Sequence, residues 1–257
     1  MAANTSHPAF LQPHNVDIRL WKYLTFEKFL SLLVQNAVIF SRIDTFEDEF
    51  EGKIEKRKFL NAFSEMNHEM NIKMMEYIEQ QPQHNSFMQS RLTNFATCWC
   101  MSNHESVALW KVFSKSDNSI AIQTKYSKLA ALLPENTFLG CITYDFEEFS
   151  WNNPDNMFRT IMTKRKSFEY EKEVRALLFK PEYIKILCET KNINETIENI
   201  PKIQICPIDI NELIESIYIN PKAEKWFYDI VKDVCIKYKY VNQIRKSDLC
   251  IDNYDLM

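Results

Sequence analysis

The chain has 257 residues, 46% hydrophobic and 26% charged, which suits one large domain with an ordinary core. Aromatic residues make up 13%, which excludes a disordered chain, and a formal net charge of −4 excludes a global basic field for nucleic acid while leaving room for a local basic patch. The only glycines are Gly52 and Gly140, so a three-glycine dinucleotide turn, a phosphate loop and a nucleophile elbow are all excluded.

Residues 1–15 are polar, contain Pro8 and Pro13, and read as a flexible leader. DIRLWKYLT (17–25) alternates and predicts a strand. Thr25 then caps a helix over FEKFLSLLVQN, with Phe26, Phe29, Leu30, Leu33 and Val34 on its buried face. AVIFSR (37–42) is a short strand and DTFEDEFEG (44–52) an acidic loop. Residues 53–81 have helical spacing, and about 53–92 reads as a helical insertion in a single domain spanning 16–257.

NFATCWCMS (94–102) is a strand. A turn through Ser102 or Asn103, as cap, leads into a helix over 105–114. SIAIQTK is a strand, YSKLAALLP a short helix and TFLGCITYDF (137–146) a strand. YEKEVRALLF (170–179) alternates charged and apolar residues, as a half-buried strand does. Residues 180–200 are polar; KIQICPIDI, LIESIYINP and KYVNQIRKS are strands, with a helix over 222–237 between the last two. Strands and helices mix without regular alternation. The fold class is therefore α+β, with mixed, largely antiparallel sheets and surrounding helices.

The seven cysteines are odd in number and lack C-x-x-C spacing, which points to reduced thiols in a cytoplasmic protein and not to disulfides or zinc. No run approaches a membrane span, so no membrane partner is expected.

Three clusters place polar groups beside apolar ones. The first is Asp48 and Glu51 between Phe46, Phe50 and Gly52; the alternatives are a solvated acidic loop, an inward-packed pair and a metal-ligand pair. The second is the strand-to-helix turn with His104, Glu105 and Ser106, followed by Trp110 and Lys111; the plain alternative is that Ser106 caps and Trp110 packs. The third is Lys164, Arg165, Glu171, Glu173 and Arg175. Strand alternation puts Glu171, Glu173 and Arg175 on one face, where two carboxylates repel unless a cation intervenes. On that ground, neutralising Glu173 is expected to leave folding intact. The alternative is a ladder of surface ion pairs worth little.

WKY (21–23), FSRIDTFEDEFEG (40–52), CWCMSNHESVALWKVFSKSDNSIAI (98–122), KRKSFEYEKEVRALLF (164–179) and INPKAEKW (219–226) together resemble a bacterial family, a domain of unknown function related to AbiGi-type abortive-infection proteins. Phe113 stands where that family usually has Tyr. The resemblance implies a defence or toxin-type effector. It also implies a fold relation to ADP-ribosyltransferases, which hold NAD in a cleft without a glycine-rich loop. Glu171-Lys172-Glu173 has the spacing of their E-x-E motif. Glu173 then matches the catalytic carboxylate, Glu171 the accessory one, and Ser106 joins them. Lys22, Tyr23, Arg42, Trp110, Lys111 and Arg165 are the implied NAD contacts. Asp48, Glu51, His104, Glu105 and Arg175 complete the site.

NAD is then the substrate and no metal is expected. The partners are a macromolecular acceptor and a possible antitoxin or other defence-system component. Two rival readings stand: a metal-dependent nuclease using Asp48, Glu51, Glu171 and Glu173, and a non-catalytic ligand-binding or sensor module.

Overall fold

A computed structural model describes residues 3–53, 85–144, 156–190 and 192–250, together with Lys73, Glu76, Tyr77 and Gln80. Apart from those four helical positions, the helix expected over 53–81 lies outside the described residues.

The described strands are β1 (Arg19–Thr25), β2 (Ala37–Arg42), β3 (Asn94–Met101), β4 (Ser119–Lys125), β5 (Thr137–Cys141), β6 (Glu173–Phe179), β7 (Ile203–Pro207), β8 (Ser216–Ile219) and β9 (Gln243–Lys246). They form one sheet in the order β5-β6-β3-β1-β4-β8-β9, with β2 and β7 branching from β3. Every pairing is antiparallel except β8 with β9. The α+β reading with a mixed, largely antiparallel sheet therefore holds.

The branch has a local cause. β1 runs into helix α1 (Phe26–Gln35), which returns the chain through Asn36 in a left-handed conformation into β2. Both strands then meet the same edge of β3, but at opposite ends: β1 pairs at Cys100 and Met101, β2 at Phe95 and Ala96. Between them no described strand pairs with the β3 edge. Lys22 fills that fork, its Nζ donating to Cys98 O at 2.8 Å and Thr97 Oγ1 at 3.0 Å. A buried carbonyl left without a ladder partner is thereby satisfied.

Strand alternation divides the core. One face carries Leu20, Leu24, Phe95, Trp99, Ile120, Ile122, Val174 and Ala176 against α1 and the helix Lys225–Lys237. The other face carries two smaller apolar patches. One is built on Phe10, Ala96, Phe158, Ile161 and Leu177, the other on Trp21, Tyr23, Cys100, Leu109 and Trp110.

Two expectations are corrected, and one stretch gains elements the sequence reading did not assign. The segment read as a flexible leader is bound to the sheet: Asn4 N donates to Thr137 O at 2.7 Å, Cys141 N to Leu11 O at 2.7 Å, and Phe10 is 2% exposed. Gly140 permits this, because a Cβ there would lie 2.7 Å from the Phe10 backbone. The polar stretch 180–200 holds two helices, Glu182–Glu189 and Ile193–Asn199; Asn192 caps the second, and Leu187 anchors the first in the core. The strand expected from residue 170 begins at Glu173. Lys166–Glu171 form a 3-10 helix that ends at Lys172 with φ 42° and ψ 52°, a left-handed residue incompatible with strand pairing.

Candidate functional site

Glu173 and Arg175 point from β6 toward the two-patch face, beside Cys98 and Cys100 of β3, their register partners. Above them lies Glu51, which the tight turn 48–52 turns inward: Glu51 N donates to Asp48 O at 3.1 Å, and Gly52 follows at φ 68°. A Cβ on Gly52 would meet Arg91 at 2.7 Å and Ile161 at 2.9 Å, so this position also needs glycine for space. Lys164 and Glu171 close the cluster from the segment preceding β6.

Lys164 Nζ lies 2.6 Å from Glu171, 3.1 Å from Glu173 and 3.2 Å from Glu51. Arg175 donates from Nε to Glu173 at 2.7 Å, from Nη2 to Glu51 at 3.2 and 3.3 Å, and from Nη1 to Ile161 O at 2.5 Å. All three carboxylates and Arg175 are at most 5% exposed. The alternative of a surface ladder of ion pairs is therefore excluded: the groups form a buried network, and the cation between Glu171 and Glu173 is Lys164. The Glu173 amide donates to Tyr144 Oη at 2.7 Å.

Three carboxylates facing two cations leave one formal negative charge in a low-dielectric site, and the carboxyls divide accordingly. Burial pushes Glu173 up, but Arg175 and Lys164 overcome it and hold the carboxyl down at about 2. Burial raises Glu171 as well, and there Lys164 does not compensate in full, so its carboxyl stays above the ordinary range. Burial disfavours the Lys164 ammonium, yet Glu173 and Glu51 outweigh that and keep it charged. The Cys100 thiol is pushed up to about 12 by burial and by Glu173 and Glu171, so it is an inert neighbour.

Above the network the surface is aromatic and cationic. Arg165 lies 4.7 Å over Phe50 and 5.1 Å over Phe168, and pairs with Asp48 at 3.0 Å. Phe50 and Tyr170 are exposed.

The first and third sequence clusters thus join directly. The second lies next to them: Cys100 is the register partner of Glu173 and packs with Tyr23 and Trp110. Its polar groups have other duties. Ser106, expected among the catalytic residues, is the N-cap of helix Val107–Phe113, in place of Ser102 or Asn103; its Oγ accepts from Leu109 N at 3.3 Å and its amide donates to Tyr23 Oη at 2.9 Å. Glu105 accepts from Trp110 Nε1 at 2.9 Å, Ser247 Oγ at 2.6 Å and Asp248 N at 2.7 Å, fastening the segment after β9. Trp110 is 4% exposed and packs edge-on against Tyr23, so its ring faces are committed to the fold. His104 and Lys111 are exposed.

Besides Trp110 and Tyr23, which is 7% exposed with its Oη accepting from Ser106 N, two further residues assigned to NAD are corrected to structural roles. Arg42 is 2% exposed and bonded to Asp44 at 2.6 and 3.0 Å and to the carbonyls of Ile197 and Ile200. Lys22 serves the fork, and burial lowers its pKa. Of the nuclease set, Glu51, Glu171 and Glu173 converge, but on Lys164; Asp48 is bonded instead to Arg165 and the Phe50 amide. Among the described residues no group of three or more His, Cys, Asp or Glu side chains is placed to hold a metal ion. None of their helices is long and apolar enough to cross a membrane.

Sequence reasoning missed Tyr144 and Cys98. Cys98 shares a strand face with Cys100 and was legible by alternation, whereas nothing local marks Tyr144. No family model, curated protein or solved structure matches the chain.

Proposed function

We propose that the chain is a NAD-cleaving enzyme, an ADP-ribosyltransferase or NAD glycohydrolase acting as a bacterial defence or toxin-type effector. One observation carries this reading: two buried carboxylates share Lys164 Nζ, and their surroundings push their ionisation apart, Glu173 down to about 2 and Glu171 up. Such a pair divides labour. Glu173, held anionic at neutral pH, is suited to stabilise the positive charge that develops on ribose as the nicotinamide bond breaks. Glu171, harder to ionise, is suited to take a proton from the acceptor. The exposed rings of Phe50 and Tyr170 offer stacking surface, and Arg165 a charge for phosphate.

A second reading, a non-catalytic ligand-binding or sensor module, is favoured by the enclosure of Glu173. The side chain is 3% exposed, and its two oxygens are engaged by Arg175 and Lys164. The two readings separate in one assay, the release of nicotinamide from NAD by pure protein with and without cell lysate. The enzymatic reading expects turnover, and a loss of roughly two orders of magnitude per folded molecule in Glu173→Gln. No release above the spontaneous rate under either condition refutes it and leaves the binding module.

A further inference from the structure

Among the described strands β5, β7 and β9 lie at the edges of the sheet, and the chain treats the three edges differently. β5 is covered: Asn4 N donates to Thr137 O at 2.7 Å, Leu139 N to Asn4 O at 3.2 Å and Cys141 N to Leu11 O at 2.7 Å. β9 carries Arg245 and Lys246, charges of the kind that keep an edge from pairing. β7, with the sequence IQICP, has neither device. It holds no charged residue, and among the described strands it pairs with β2 alone.

The bonds at the two ends of β7 show which way its backbone points. Arg42 N donates to Lys202 O at 2.9 Å and Ile208 N to Asn36 O at 3.1 Å, so the even-numbered backbone groups face β2. The N–H and C=O groups of Ile203 and Ile205 therefore face away from it, with the C=O of Pro207. Pro207 suits that position, because the N–H it lacks would have pointed outward. The Ile203 and Ile205 side chains share one face of the strand and are 47% and 51% exposed. Bare apolar side chains beside open backbone groups are a template for another strand.

β7 is also complementary to itself. Laid antiparallel on a second β7 about a two-fold axis at Gln204, Ile203 of each copy lies opposite Ile205 of the other. These are the residues with outward N–H and C=O groups, so each such pair can exchange both of its hydrogen bonds. The same axis brings Pro207 of each copy to the level of Pro201 of the other; neither has an N–H, so no donor is stranded where the ladder ends. Lys202 falls opposite Cys206, and no like charges meet. An axis at Ile205 would leave one Ile–Ile pair where the axis at Gln204 makes two. We propose that β7 is a dimerisation edge: two copies of this chain pair antiparallel through Ile203–Pro207 and join their sheets into one. Five residues a side is a small contact, below the roughly 1,200 Å² of a stable interface, so the dimer is weak and forms as concentration rises. The inference does not depend on the enzymatic reading.

The test is sedimentation velocity of the full chain from about 1 to about 200 μM, where the mean mass should climb from one chain toward two. The double variant Ile203→Lys, Ile205→Lys sets lysine opposite lysine twice and should weaken association roughly tenfold or more. The double variant Ile203→Lys, Ile205→Glu sets lysine opposite glutamate in the same register and should restore it, most of all at low salt. At the dilute end both variants should melt with the wild type, since both positions are half exposed. A wild type that stays monomeric across the range overturns the proposal, whether the edge takes another partner or none. A dimer that persists in the lysine–lysine variant places the contact elsewhere and overturns it too. So does a lysine–glutamate variant that associates no more tightly than the lysine–lysine one.

Discussion

Replacing Glu173 by glutamine removes one charge from a buried network whose members can be counted. The wild type sets Glu51, Glu171 and Glu173 against Lys164 and Arg175. Breaking a buried pair by altering one partner costs about 3–5 kcal/mol. Here Glu51 still lies 3.2 Å from both cations after the change, so neither is abandoned, and the expected cost falls at the lower end, about 3 kcal/mol. Arg175→Met is worse, about 5 kcal/mol, because it leaves three carboxylates around Lys164 alone. Glu171→Gln is nearly neutral, within about 1 kcal/mol, since the fold already disfavours its charged form.

For a domain of this size each kcal/mol moves the melting temperature by roughly 2–4 °C, so Glu173→Gln should melt about 6–12 °C lower. Thermal denaturation of the three variants side by side reads the order directly. Equal melting temperatures for Glu173→Gln and wild type, or a Glu171→Gln variant less stable than Glu173→Gln, would refute the charge count. The same samples give nicotinamide release per folded molecule, which keeps a stability loss from being mistaken for a catalytic one.

Acid should act through the same residue. Its folded carboxyl is held down at about 2 against an ordinary 4.5, so its contribution is complete above the ordinary value and is lost as pH falls from 4.5 toward 2. A pH series of melts should show that loss in wild type and less of it in Glu173→Gln. Gly140→Ala should destabilise by roughly 1–3 kcal/mol, because its Cβ would press on the Phe10 backbone, and limited proteolysis should then cut within residues 3–12 before the rest of the chain.

Much of the fold was legible because alternation and helical spacing are local. β1, α1, β2, β3 and β4 begin and end within two residues of their expected bounds, but Val34, expected on the buried face of α1, is exposed while Leu32 is buried, and Thr25 holds the N-cap position without a side-chain cap bond. The charged cluster on β6 was legible for the same reason: polar groups leading into ALLF had to be either buried or costly. What local pattern could not supply was partnership. Glu51 reaches Arg175 across 124 residues of sequence, and Lys164, not Arg175, lies between Glu171 and Glu173. The two glycines were countable from the start. Only packing says why they are there, one to let Phe10 lie against β5 and one to turn Glu51 inward. Residue type and spacing determine which face a side chain takes; what it meets on that face depends on loops brought together from distant parts of the chain, and that decided whether a carboxylate here is a surface charge or the centre of a buried network.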